Sequence, residues 1–157
     1  MHAPQWYETP ASRPGEAARL PGAEVALFTS QQIALATFFG SALAGSALLG
    51  LNELRLGRPQ AGALSLLFGV FGTAALVALA LVAPEGAPVS HIFGIATILL
   101  LRAIAEKRQG AFVGAHLAAG GKKASSWAAF GVGVVGLVLI FVPVFVVAFA
   151  LELVRGG

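Results

Sequence analysis

The run "IALATFFGSALAGSALLGL", residues 33–51, carries no charge. A helix needs about 20 mainly apolar residues to cross a bilayer, at 1.5 Å per residue. With its polar start Thr29-Ser30-Gln31-Gln32, the run reads as one transmembrane helix over 29–56. Asn52, Glu53, Arg55 and Arg58 are expected to end it in water, and Gly57 with Pro59 to stop it. The number of further runs of this kind sets the fold.

There are three. Residues 61–83 are uncharged and predict a helix over 60–83, followed by the turn Pro84-Glu85-Gly86-Ala87-Pro88. The segment "HIFGIATILLLRAIAEKRQG", residues 91–110, is interrupted by Arg102, and it predicts a helix over 88–106. A guanidinium near a helix end can snorkel to the headgroups, and Arg102 lies one turn from Glu106-Lys107-Arg108. The last uncharged run, residues 127–151, predicts a tilted helix over 126–153. Trp127 suits an interface, and Pro143 is expected to kink the helix. Between the third and fourth helices, Phe112, Val113, His116 and Leu117 have helical spacing. Residues 111–119 read equally as a short interfacial helix or as a loop.

Composition agrees. Hydrophobic residues make up 57% of the 157 positions and charged residues 11%. Mean hydropathy is +0.85. A soluble domain carries about a quarter charged residues, so this chain cannot cover a water-facing surface. The expected fold is all-α: a polytopic membrane protein with four transmembrane helices in one bundle. Residues 1–28, with four prolines, read as a disordered polar tail ahead of a membrane domain at 29–155. Trp6 and Tyr7 in that tail read as uninvolved or as resting at the interface.

Charge gives an orientation. With four spans, the first and third loops share one side. They hold Arg55, Arg58, Arg102, Lys107, Arg108, Lys122 and Lys123. The opposite side holds Arg13, Arg19 and Arg155 and five of the seven acids. The positive-inside rule then puts both loops in the cytoplasm and both termini outside. The net charge of +3 fits anionic headgroups. Nucleic acid is excluded as a partner, because no basic domain stands apart from the apolar segments.

Small residues form the clearest pattern. Gly40 and Ala44, Ser41 and Gly45, and Ser46 and Gly50 are each four apart, as are Gly69 and Thr73. Gly131, Gly133 and Gly136 crowd the start of the last helix. Helices in lipid associate by close backbone approach, which this spacing allows. Two readings stay open: packing inside one chain, or contact with another copy or another membrane protein.

Chemistry is thinly represented. There is no Cys and no Asp. Glu85 and His91 flank the second loop and supply two ligand types without a third, short of a zinc set. The bland reading of the pair is a solvated turn, and the sharper one a pH or metal sensor. His116 beside Gly120-Gly121-Lys122-Lys123 reads as a loop residue. The "AAGGKKAS" stretch fails the phosphate-loop pattern, because His116 stands where its first Gly belongs and Lys123 replaces the Ser or Thr. Ser90 and His91 are neighbours on a helix and point about 100° apart, so they cannot act as a nucleophile and base. The helices hold no buried acid for a proton relay, and only Pro143 suggests a break.

The stretch "LFTSQQIALATFFGSALAG", residues 27–45, with "NELRLGRP" after it, resembles the start of a family of small bacterial four-helix integral membrane proteins. The family pattern often has Pro after the first Ser, where this chain has Gln31. The resemblance covers about a quarter of the chain and implies a bacterial membrane protein; it brings no assigned activity. The expected function is therefore non-catalytic, without cofactor or metal: a small scaffold, anchor or accessory subunit, with a homo-oligomer or another membrane protein as partner through the small-residue faces. The alternatives are a small oligomeric transporter or channel, and a sensor built on Glu85 and His91.

Overall fold

The computed structural model describes residues 22–82 and 89–156. They form four helices: α1 (Ser30–Arg55), α2 (Pro59–Val82), α3 (Val89–Ala118) and α4 (Ser126–Gly156). No strand occurs among the described residues beyond one isolated bridge between Leu27 and Lys123. Most of the expected tail, with Trp6 and Tyr7, lies outside the described residues, as does the turn holding Glu85. Residues 22–28 do not behave as tail. They run as a strap across one end of the molecule, with Leu27 and Phe28 buried.

The first helix differs most from its sequence reading. Within α1, Gly40 has φ −116° and ψ 20°, and Ser41 has φ 63° and ψ −169°. The chain reverses there. The Phe28 N–H donates to Asn52 Oδ1 at 2.9 Å, although the two residues are 24 apart in sequence. Along a straight helix they would be about 36 Å apart. A β-carbon on Gly45 would fall 1.9 Å from Thr37 Oγ1, so the two stretches lie side by side. α1 is thus a helical hairpin. Its arms, 30–39 and 42–55, are about 15 and 21 Å long at 1.5 Å per residue. Gly40 approaches the backbone carbonyl of Gly133 closely enough that any β-carbon would overlap it. That contact requires glycine at the tip.

The hairpin is the core. It packs against α2, α3 and α4, whereas α2 and α3 meet only slightly and the backbone of α4 comes close to neither. The most apolar stretch of α1 is 61% buried, against 11% in α2 and 6% in α4. These three helices are long and apolar enough to cross a membrane by length and composition. α3 is not among them, and it differs from its expected bounds. It continues unbroken from Val89 to Ala118, taking up the stretch that could have been a separate interfacial helix. Its inward positions Leu101, Ala105, Gln109, Val113 and His116 are all buried. Their spacing of three and four is one face of a helix, and it carries α3 past Arg102 without a break.

Depth along the hairpin orders everything else. Gly62 of α2 meets Gly50, Gly69 meets Ser46, and Thr73 reaches Ser41 at the tip. α3 runs the other way, from Thr97 beside the tip to Gln109 beside Asn52. α4 starts at the hairpin's base, where Ser126 meets Gln32, and reaches the tip by Gly136. Beyond the tip α4 continues for about 30 Å. Phe145, Val146, Val147 and Phe149 are more than half exposed there, although they spread over more than half of the helix circumference. Pro143 sits in this free half.

Candidate functional site: a polar base and an open tip

The hairpin's two ends meet in a set of buried polar side chains. Thr29 caps the first arm: its hydroxyl accepts from Gln32 N, and the Gln32 side chain returns a bond to the Thr29 N–H at 3.0 Å. This is a capping box, which satisfies two end donors reciprocally. The amide nitrogen of Gln32 also donates to Ala124 O at 2.7 Å, tying the first arm to the loop before α4. Asn52 is fully buried and closes the hairpin. It accepts from Phe28 N and donates to Phe28 O at 2.7 Å and to Gln109 Oε1 at 3.0 Å. Gln109 in turn donates to Leu49 O at 3.0 Å. Two amides from α1 and α3 thus lock together around backbone groups that would otherwise be buried unpaired.

The strap is held on both sides. Arg55 Nη1 donates to Ala26 O, and its guanidinium lies 5.5 Å from the Phe28 ring centroid. His116 Nε2 is 2.8 Å from Val25 O, and Leu27 exchanges backbone bonds with Lys122 and Ala124. His116 is therefore a buried helix residue, not part of a loop. Its ring fills the space beside Gly121, where any β-carbon would overlap it. The Gly-Gly-Lys-Lys turn accordingly closes over the histidine.

Glu53 also departs from its sequence reading. Expected in water at the helix end, it is fully buried, and neither carboxylate oxygen has a hydrogen-bond partner among the described residues. Its charge faces two guanidiniums instead, Arg58 at 3.7 Å and Arg108 at 4.0 Å. Arg58 lies in turn over the Phe112 ring, 4.3 Å from its centroid. Removing either arginine would leave a buried carboxylate with half its compensation. Ser30 donates to Glu106 at 2.5 Å, and Lys122 pairs with Glu24 at 2.7 Å on the surface. The side chains of Arg102, two turns above Gln109, and of Lys107 and Lys123 make no hydrogen bond or ion pair among the described residues. Six of the seven cations singled out in the sequence thus lie at the base, against three carboxylates, Glu24, Glu53 and Glu106, while Arg102 stands about midway between Thr97 at the tip and Gln109 at the base.

The tip is built differently. Ser41 is the one non-glycine residue with positive φ among the described residues. Such a conformation costs about 1–3 kcal/mol and persists only where neighbours hold it. Thr73 of α2 holds it here. Its hydroxyl is 3.1 Å from Ser41 Oγ and accepts from Leu43 N at 3.0 Å, capping the second arm from outside the helix. Replacing Thr73 by Val keeps the shape and removes that acceptor. We expect a loss of about 1–2 kcal/mol in reversible unfolding in detergent. Beside the tip lies a cavity of about 250 Å³, with walls from all four helices.

The small residues mostly serve packing inside the chain. Gly40 and Ala44 meet Gly133 and Gly136 of α4, Gly45 meets Thr37, Ser46 meets Gly69, and Gly50 meets Gly62. Gly131 is the exception, with nothing within 4 Å of where a β-carbon would stand. His91 is exposed, and its supposed companion Glu85 lies outside the described residues. No group of three or more metal-ligating side chains occurs among the described residues. Three features escaped the sequence reading. The Thr29-x-x-Gln32 box had a signal in its spacing. The Asn52–Gln109 pair and the Ser41–Thr73 pair had none, because each joins distant segments.

Comparison with known proteins yields no match to this chain, whether among family models, curated proteins or solved structures.

Proposed function

We propose that this chain is a multi-pass membrane protein of non-catalytic role, a scaffold or accessory subunit, in which α2, α3 and α4 cross the bilayer around a re-entrant hairpin. One observation carries the reading: both ends of the first apolar segment return to the same basic face and are locked there by Asn52, Gln109 and Gln32. Arms of about 15 and 21 Å are shorter than a hydrocarbon core of about 30 Å, so the tip ends within it. The cations at the base make that face cytoplasmic by the positive-inside rule. Three crossings then leave residue 22 inside and residue 156 outside. This replaces the four-span expectation of two outer termini. The buried polar groups at the base support a structural role, since nearly all of them close the hairpin.

Single cysteines test the path, because the chain has none of its own. With an impermeant maleimide on intact cells, cysteines at positions 86 and 156 are expected to label. Cysteines at Ala23 and Lys123 are expected to stay protected until the membrane is opened. Labelling at Ala23 in intact cells would restore a spanning first helix. The small oligomeric transporter is the second reading, and the broken first helix favours it, since discontinuous helices mark many transport sites. Solute flux above that of empty liposomes would replace the scaffold reading with this one.

A further inference from the structure

We propose that the cavity at the hairpin tip binds the hydrocarbon chain of a bilayer lipid, a site that rests on the membrane reading above. Its walls are Phe39 and Ser41 of α1, Leu76 of α2, Gly94 and Ile98 of α3, and Ile140 of α4, with no charged residue in the lining. The hydroxyls that line it are already paired. Thr37 donates to Ile33 O at 2.8 Å, Thr97 donates to Phe93 O at 2.7 Å, and Ser41 pairs with Thr73. Thr37 and Thr97 have spent their donors on backbone carbonyls and Ser41 is engaged by Thr73, so little side-chain polarity remains to recognise a polar ligand and an apolar one fits.

Access and depth narrow the class. The backbone of α4 comes close to neither α2 nor α3, so the cavity opens at its sides, between helices. A thin flexible chain can enter there where a folded partner cannot. The tip stands about 15–20 Å from the base, at the level of chain ends and far from any headgroup. The floor cannot collapse to fill the space. Ser41 is held in its left-handed conformation by Thr73, and Gly40 is wedged against the Gly133 carbonyl. Gly94 leaves one wall open, with nothing within 4 Å of a β-carbon position.

The test uses the full chain in phosphatidylethanolamine vesicles containing a phospholipid with a diazirine at the end of one acyl chain. After irradiation, adducts are mapped by mass spectrometry. Adducts at Ile98 and Ile140 are expected to exceed those at the outward Phe71 and Phe145 several-fold. Gly94→Trp, which fills the cavity, is expected to abolish that excess, while Gly131→Trp on the open side of α4 retains it. Ile98→Trp gives the same readout should Gly94→Trp lose its helical circular dichroism. Adducts spread evenly over α2 and α4, with no excess at the tip, would overturn the lipid site and leave the membrane reading standing. An Ile140→Cys disulfide between two copies would assign the space to a second chain and overturn it too. Absence of adducts anywhere, with release of the protein by alkaline carbonate, would remove both readings together.

Discussion

Asn52→Leu is expected to open the hairpin and to lower stability by about 3–5 kcal/mol, with two buried groups of Phe28 and one of Gln109 left unpaired. Leucine keeps the branched outline but is bulkier, so overpacking at this fully buried position adds to the lost hydrogen bonds. Asn52→Asp makes the comparison sharp. It keeps an acceptor for the Phe28 N–H at 2.9 Å but loses the donor that serves Phe28 O and Gln109 Oε1. At neutral pH its carboxylate would be buried against those two acceptor oxygens, so it should lose at least as much stability as Asn52→Leu. The measurement is reversible unfolding in mild detergent, followed by circular dichroism. Equal stability of Asn52→Leu and wild type would mean that the lock at the base contributes nothing, and the hairpin would need another explanation.

Gly45→Leu is expected to be at least as damaging, by a different route. A single β-carbon at Gly45 would lie 1.9 Å from Thr37 Oγ1 and 3.1 Å from Thr37 Cβ and Leu101 Cδ1. The arms would have to part, at a cost of about 3 kcal/mol or more. Gly131→Leu, made in open space, should stay within about 0.5 kcal/mol of wild type. A double variant supplies the mechanism. Gly45→Ala with Thr37→Ala should be more stable than the sum of the single changes, because the second removes the atom that the first would strike. A change in oligomer size with unchanged stability in Gly45→Leu would place this small-residue patch between chains instead of between arms.

Much of the architecture was legible in the chain, because hydropathy alone marks where apolar segments begin and end. The bounds of α2 and the start of α4 follow from it almost to the residue. The hairpin did not, and the reason is physical. A reversal at Gly40–Ser41 leaves the apolar count of residues 33–51 unchanged, and glycine and serine also suit a straight packed helix. Asn52 and Glu53 looked like a watery end because nothing local reveals that Phe28, Gln109, Arg58 and Arg108 close over them. The sequence pattern ends α3 at Glu106 for a related reason. Its charged positions face outward, and only the buried run Gln109, Val113 and His116 shows that the same helix continues. His116 likewise became a core residue only through its contact with Val25.

The lock at the base has a consequence for how the chain is made. Its parts are widely spaced along the messenger: Gln109 follows Asn52 by 57 residues, and Ala124 follows Gln32 by 92. At about 5–20 residues per second, the ribosome supplies the last of these some 5–20 seconds after the first arm has emerged. Throughout that interval the hairpin lacks the partners that close it. In the membrane reading proposed above, the nascent chain must therefore keep Asn52 and Glu53 away from hydrocarbon until α3 and the turn after it arrive. The native state is sealed by some of the later segments to be synthesised, so a chain truncated before Gln109 should be recognised by quality control as unfinished.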